Sequence, residues 1–189
     1  CCINGQWYIF YHRMTNSTIM SRRGCVERIE ILPDGTIPQV EMTSLGFEES
    51  LNPYQVTPAE VSCVLKGGCF ITETNVFERP VTNITDGCVM GWKYFDFGED
   101  FSSKTMQVRL KVRGCGSKGR IRILLDGENG EELGTVEFSE DSGVIGGRIK
   151  AASGRHSVFL VAESVYEGWF ADSMKGRQLF MLDSFVFMK

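Results

Sequence analysis

The chain has no C-x-x-C pair, only two histidines, and no block of like charges in its 189 residues. A structural or catalytic zinc site needs Cys and His ligands at short, characteristic spacing. Cys1, Cys2, Cys25, Cys63, Cys69, Cys88 and Cys115 do not supply it, and His12 and His156 stand at no finger spacing from them. Lys and Arg total 20 against 24 Asp and Glu, a formal charge of −4. With no basic cluster, neither a nucleic-acid stripe nor a polybasic membrane patch is expected. No run approaches the roughly 18 consecutive apolar residues of a spanning helix, and the N-terminus carries no charged segment followed by an apolar stretch. Nucleic acid and membrane are therefore not expected partners. Sustained 3.6-residue periodicity is also missing, and no proline follows Pro80.

What is present is enough apolar material for a real core, 42% hydrophobic against 23% charged, which suits one or two globular domains. The seven cysteines cannot all pair within one chain, and a chain of this size needs no staple, so a reducing, cytoplasmic compartment is favoured. Most lie in apolar or glycine-flanked segments such as Val61–Leu65, where a thiol behaves as a small buried hydrophobe. The first residue is Cys1 rather than Met. That start suggests a piece of something longer and leaves secretion open, since a leader could have been removed.

All five prolines (Pro33, Pro38, Pro53, Pro58, Pro80) fall in the first 80 residues. Residues 48–60 read as an extended connector because proline fixes φ and pushes its predecessor into β or polyproline conformations. A boundary placed there divides the chain into 1–60 and 61–189. In the first part, Asn4-Gly5 is a hairpin signal leading into the aromatic run Trp7–Tyr11, and Cys25–Leu32 is a second strand candidate closed by Pro33-Asp34-Gly35. Two or three strands cannot bury both faces by themselves, and their unpaired edges invite a partner, including another copy of the chain. In the second part the period is two: Met106, Val108, Leu110 and Val112 alternate with Gln107, Arg109 and Lys111, and Ile121, Ile123 and Leu125 with Arg120 and Arg122. Asp126–Gly130 reads as a turn, and 133–138, 157–161 and 179–187 as further strands. Pattern alone predicts an all-β sandwich, jelly roll or immunoglobulin-like.

The strings Asn4–Arg13, Arg22–Glu27 and Asp34–Thr43 resemble the end of the catalytic domain of glycoside hydrolase family 43, a five-bladed β-propeller. Trp92–Gly98, Ile121–Gly134 and Leu179–Phe185 resemble the β-sandwich of carbohydrate-binding module family 6. The resemblance implies a jelly-roll sandwich at 61–189, acting as accessory or carbohydrate-binding domain, preceded at 1–60 by the last strands of a propeller plus the connector. Glycoside hydrolysis needs two carboxyl groups across the scissile bond. In the family these come from earlier blades, so no catalytic residue is expected in this chain. The resemblance offers His12 and Glu27 as residues near the propeller axis or active centre, with Arg22 and Arg23 lining the same pocket. His12 is the one metal candidate, through a hydrated calcium ion of the full-length parent. For Glu27 and the arginines, ion pairing is the plainer reading.

Carbohydrate modules stack sugar rings on exposed aromatics. Trp92 and Tyr94 are candidates because strict alternation puts them opposite the core candidates Phe95 and Phe97. Tyr166 and Trp169, in a polar loop before the last strand, are the others. Three departures from sugar-binding relatives favour an accessory role that shapes the substrate cleft: Met181 stands where they carry Asn, the loop 142–148 lacks a Trp, and Val64–Gly68 replaces a calcium-binding pair of glutamates. The expected partners are a plant cell-wall polysaccharide or oligosaccharide containing arabinose or xylose, and the missing N-terminal propeller. A stand-alone carbohydrate-binding module and a ligand-free interaction domain are the alternatives.

Overall fold

The computed structural model describes residues 1–189 except 17, 19, 20, 76 and 100–102. Its first unit is a three-stranded antiparallel sheet, β1 (Cys2–Ile3), β2 (Gln6–Met14) and β3 (Arg22–Ile29). Asn4 and Gly5 both take positive φ, 49° and 83°. Asn-Gly adopts such a pair at little cost and thereby matches the strand twist of a two-residue hairpin. The register Cys2↔Trp7 and Ile3↔Gln6 follows. β2 and β3 pair without a bulge from Trp7↔Ile29 to Met14↔Arg22.

From Leu51 onward the chain builds a sandwich. Its strands are β4 (Thr57–Pro58), β5 (Val64–Lys66), β6 (Phe70–Ile71), β7 (Val81–Ile84), β8 (Val89–Asp96), β9 (Thr105–Gly114), β10 (Gly119–Leu125), β11 (Glu132–Phe138), β12 (Gly143–Lys150), β13 (Arg155–Ser164) and β14 (Phe180–Met188). One sheet has the order β11-β10-β13-β8-β5 and the other β12-β9-β14-β7-β6, with β4 also on β14. The chain switches sheets at most connections from β8 onward, which is jelly-roll architecture and resolves the alternative that alternation left open. β9 shows the period of two directly, with Met106, Val108, Leu110 and Val112 buried and the residues between them exposed.

The sheets meet through aromatic rings. Trp92 packs edge-on to Phe185 at 4.8 Å between centroids, Phe97 to Phe187 at 5.3 Å, and Phe95 reaches both Phe185 and Phe187. Such offset and edge-to-face pairs add to the burial of each ring. The connector is laced onto the same two strands. Leu51 N–H donates to Tyr94 O at 2.8 Å, Asp96 N–H to Leu51 O at 3.1 Å, and Phe187 N–H to Pro53 O at 2.9 Å. Ala59 lies inside the core.

Three expectations are corrected. Trp92, expected to be partly exposed, is 0% exposed. Lys93 and Tyr94 are both half-buried and Phe95 is buried, so alternation slips by one across the Lys93–Tyr94 peptide, which is cis, and Trp92 joins Phe95 on the core side. Residues 142–148, expected as loop, fall from Gly143 onward in the edge strand β12, in which glycine is required: a Cβ on Gly146 would lie 2.4 Å from the Val108 carbonyl. Only Cys69 and Cys88 are buried thiols. Cys25 and Cys63 are intermediate, and Cys1, Cys2 and Cys115 are exposed on an edge strand or a loop.

Replacing Trp92 by Ala removes the largest ring of the inter-sheet cluster. The expected loss is about 3–5 kcal/mol of stability, read as a lower urea midpoint. An unchanged midpoint would contradict the placement of this ring.

Candidate functional site

The two units enclose a cleft of about 390 Å³. On one side Arg13, Arg22, Arg23 and Glu27 extend from β2 and β3, and on the other Ser62, Glu73 and Arg79 belong to the sandwich. Most of its charges are neutralised in place. Arg23 Nη1 meets Glu73 at 2.6 Å, and Arg79 lies between Glu73 at 3.5 Å and Glu60 at 3.6 Å. Arg13 Nη1 donates to the Cys63 carbonyl at 3.0 Å. Two buried polar atoms of lining residues, Arg23 Nε and Ser62 Oγ, have no protein partner.

Glu27 is 5% exposed, and its carboxylate is occupied. Oε1 accepts from Thr43 N–H at 2.8 Å and from Tyr11 OH at 3.2 Å, and Oε2 accepts from the Thr43 hydroxyl at 2.6 Å. Burial, and then the Glu27 charge beside it, push the Tyr11 phenol well above its ordinary value. A carboxylate with three of its roughly four lone-pair sites so engaged anchors the 42–45 segment. The structure brings Glu27, Arg22 and Arg23 to one cleft, between the small sheet and the sandwich. His12 is elsewhere. It is exposed and pairs across the sheet with Gly24, and strand alternation places it on the face opposite Tyr11 and Arg13. Among the described residues no group of three or more His, Cys, Asp and Glu side chains is placed to hold a metal ion. The surroundings of His12 therefore do not fit a calcium site built from this chain alone.

The four aromatic candidates do not form one platform. Trp92 is in the core. Tyr94 has the Arg155 guanidinium 4.5 Å from its ring centre, and its OH donates to Glu41 at 2.7 Å, beside Lys93 Nζ at 2.7 Å from the same carboxylate. Burial acts to raise the Glu41 carboxyl, but the Lys93 and Tyr94 hydrogen bonds outweigh it and hold the group below its ordinary value. This cluster, invisible to sequence reasoning, fastens the 40s segment to β8. Tyr166 and Trp169 share the loop between β13 and β14. It leaves β13 at the end that pairs with Val89, whereas Tyr94 lies toward the other end, where Arg155 faces Asp96. That loop carries the short helix α1 (Trp169–Met174). Trp169 is 76% exposed, stands edge-on to exposed Phe170 at 5.3 Å, and Tyr166 is half-buried with Lys118 Nζ 5.9 Å from its ring centre.

Fold and site together define a class: a two-sheet jelly-roll β-sandwich carrying a small sheet bound across a polar cleft. No family model matches the chain. Over 92% of its length it is 36% identical, in an alignment of 201 residues, to a xylosidase/arabinosidase from Thermoclostridium stercorarium, and it spans 39% of that protein. Its whole length superposes on 40% of a glycoside hydrolase family 43 arabinoxylan arabinofuranohydrolase from Bacillus subtilis, with a TM-score of 0.68 and 23% identity. About three quarters, 74%, superposes on the whole of a family 6 carbohydrate-binding module from Clostridium cellulolyticum, solved in complex with xylose, with a TM-score of 0.60 and 21% identity. In fold the chain is similar to the family 43 enzyme over its whole length and to family 6 modules over about three quarters of it, and it spans about two fifths of the length of the full enzymes it matches.

Two outcomes follow from this geometry. Glu27→Ala leaves the Thr43 amide and hydroxyl and the Tyr11 hydroxyl without their acceptor, and is expected to cost about 2–4 kcal/mol in urea unfolding; an unchanged stability would refute the anchoring role. Glu41 contributes stability above its unfolded pKa, about 4.3, that is lost as pH falls through the lower folded value. Glu41→Gln is therefore expected to flatten the decline of Tm between about pH 5 and 3, and an acid limb identical to that of the parent chain would count against it.

Proposed function

We propose that the chain is the C-terminal part of a glycosidase acting on arabinose- or xylose-containing plant polysaccharide, and that the sandwich is its accessory, substrate-shaping domain. The match to the xylosidase/arabinosidase along nearly the whole chain carries this reading. The small sheet supports it. Trp7, Ile9, Phe10 and Met14 of β2 are large apolar side chains exposed at 40–55%, an uncovered surface that further propeller strands would bury. In this reading catalysis belongs to carboxylates of the preceding propeller, and Glu27 holds the junction together without touching substrate. The cleft between sheet and sandwich sets the angle at which the sandwich meets the propeller.

A second reading, binding of glycan by the sandwich itself, is favoured by Trp169 and Phe170, which stand exposed on one short helix. Affinity electrophoresis of the purified chain in gels containing arabinoxylan, xylan or arabinan separates the two. Retardation that falls roughly tenfold in affinity in Trp169→Ala, an amount at the upper end of aromatic stacking, supports the binding module. No retardation with any of the three removes it. The enzyme reading is tested by the reading frame upstream of Cys1: it requires a propeller with its acidic positions there, and a natural start at residue 1 overturns it.

A further inference from the structure

Cys69 and Cys88 are the two buried cysteines, and the chain folds them into one small volume at the corner of β5, β6 and β8. Lys66 of β5 pairs with Val89 of β8, which lays Gly67 against Cys88 so closely that a Cβ on Gly67 would lie 2.9 Å from Cys88 Sγ. The chain then turns through Gly67 and Gly68, at φ 83° and 93°, conformations that glycine adopts without penalty. The turn returns Cys69 toward the strand it left. The Cys69 thiol donates to the Lys66 carbonyl at 3.3 Å and lies 3.8 Å from the carbonyl of Val89, the residue after Cys88. The Cys88 thiol reaches the next carbonyl of the turn, Gly67, at 3.2 Å.

Two thiols directed at consecutive carbonyls of one tight turn share one corner of the fold. The hydrogen bond to Cys88 is the largest influence raising the Cys69 thiol, and the same contact, with Thr85, brings Cys88 down to about 5. The Thr85 amide donates to Cys88 Sγ at 3.3 Å and its hydroxyl lies 3.4 Å away, an arrangement that favours a thiolate. Cys69 borders a surface cleft of about 450 Å³ lined also by Thr15, Lys66, Gly67 and Phe70, which gives a small reagent a path to the pair.

We propose that Cys69 and Cys88 form a disulfide by exchange with a small-molecule disulfide such as oxidised glutathione, making a redox-controlled staple across this corner. The external S–S bond breaks and the protein S–S bond forms. The two thiol hydrogens and the electron pair leave with the reagent, which departs as two thiols. The staple closes a loop of about 20 residues. It also stands beside an attachment of the small sheet, because Ile71 hydrogen-bonds Thr15 Oγ1 through both its amide, at 3.1 Å, and its carbonyl, at 3.3 Å.

The test is to equilibrate the purified chain in oxidised and in reduced glutathione, quench by alkylation under denaturing conditions, and map the peptides by mass. The expected result is a Cys69–Cys88 linked peptide in the oxidised sample only, and a Tm about 5–10 °C higher than that of the reduced chain. In Cys69→Ser both the link and the Tm difference disappear. Alkylation of both residues after oxidation overturns the proposal, as does linkage of either to one of the other five cysteines. A link that leaves Tm unchanged or lowered overturns its role as a staple. Because the map is read on the parent chain, the outcome does not depend on how well the variant folds.

Discussion

The packing of β8 against β14 across the two sheets is the constraint on which the rest of the molecule depends. Trp92 and Phe95 of β8, with Phe97 just past its end, meet Phe185 and Phe187 of β14 at ring separations of 4.8 to 6.2 Å. A cluster of interlocked rings admits little sliding, because each displacement opens a void or forces a clash. With Trp92 and Phe95 inside, β8 turns Lys93 and Tyr94 outward. Those two are the residues that grip Glu41. The position of the segment leading from the small sheet is thus set from within the sandwich core.

Attachment of the small sheet is polar where the sandwich core is apolar. It rests on the Glu27–Thr43 anchor, the Arg23–Glu73 pair, the Arg13 bond to the Cys63 carbonyl and the Thr15–Ile71 contact. Each exposed pair is worth little by itself. The buried carboxylate matters more, since its removal strands three donors in a place water cannot easily reach. The junction therefore has few alternative arrangements. The cleft at this junction is lined by groups that serve one another, and its form is that of a joint.

The aromatics that the sequence singles out are distributed by the same logic. Trp92 could not serve as a sugar platform and as the largest ring of the core, and packing took it. Tyr94 keeps its hydroxyl on Glu41 and a ring face under Arg155. Trp169, outside the hydrogen-bonded strands, is left exposed on α1.

Much of this was legible in the residues. Strict alternation in 105–112 and 120–125, the Asn4-Gly5 hairpin, the prolines before residue 81 and the family-like strings determined an all-β chain with a jelly-roll sandwich preceded by a few propeller-like strands. These signals are local, and each carries its own physical cause. Tertiary structure alone decided which side of β8 Trp92 faces, because alternation slips between residues 92 and 95 and the slip leaves no trace in hydrophobicity. It alone decided that Glu27 turns to Thr43, sixteen residues on, and that Glu41 meets Lys93, fifty-two residues on. It also singled out Cys69 and Cys88 from seven similar thiols. Such choices depend on which distant segments share a volume, and a one-dimensional pattern of apolar and polar residues contains no record of that distance.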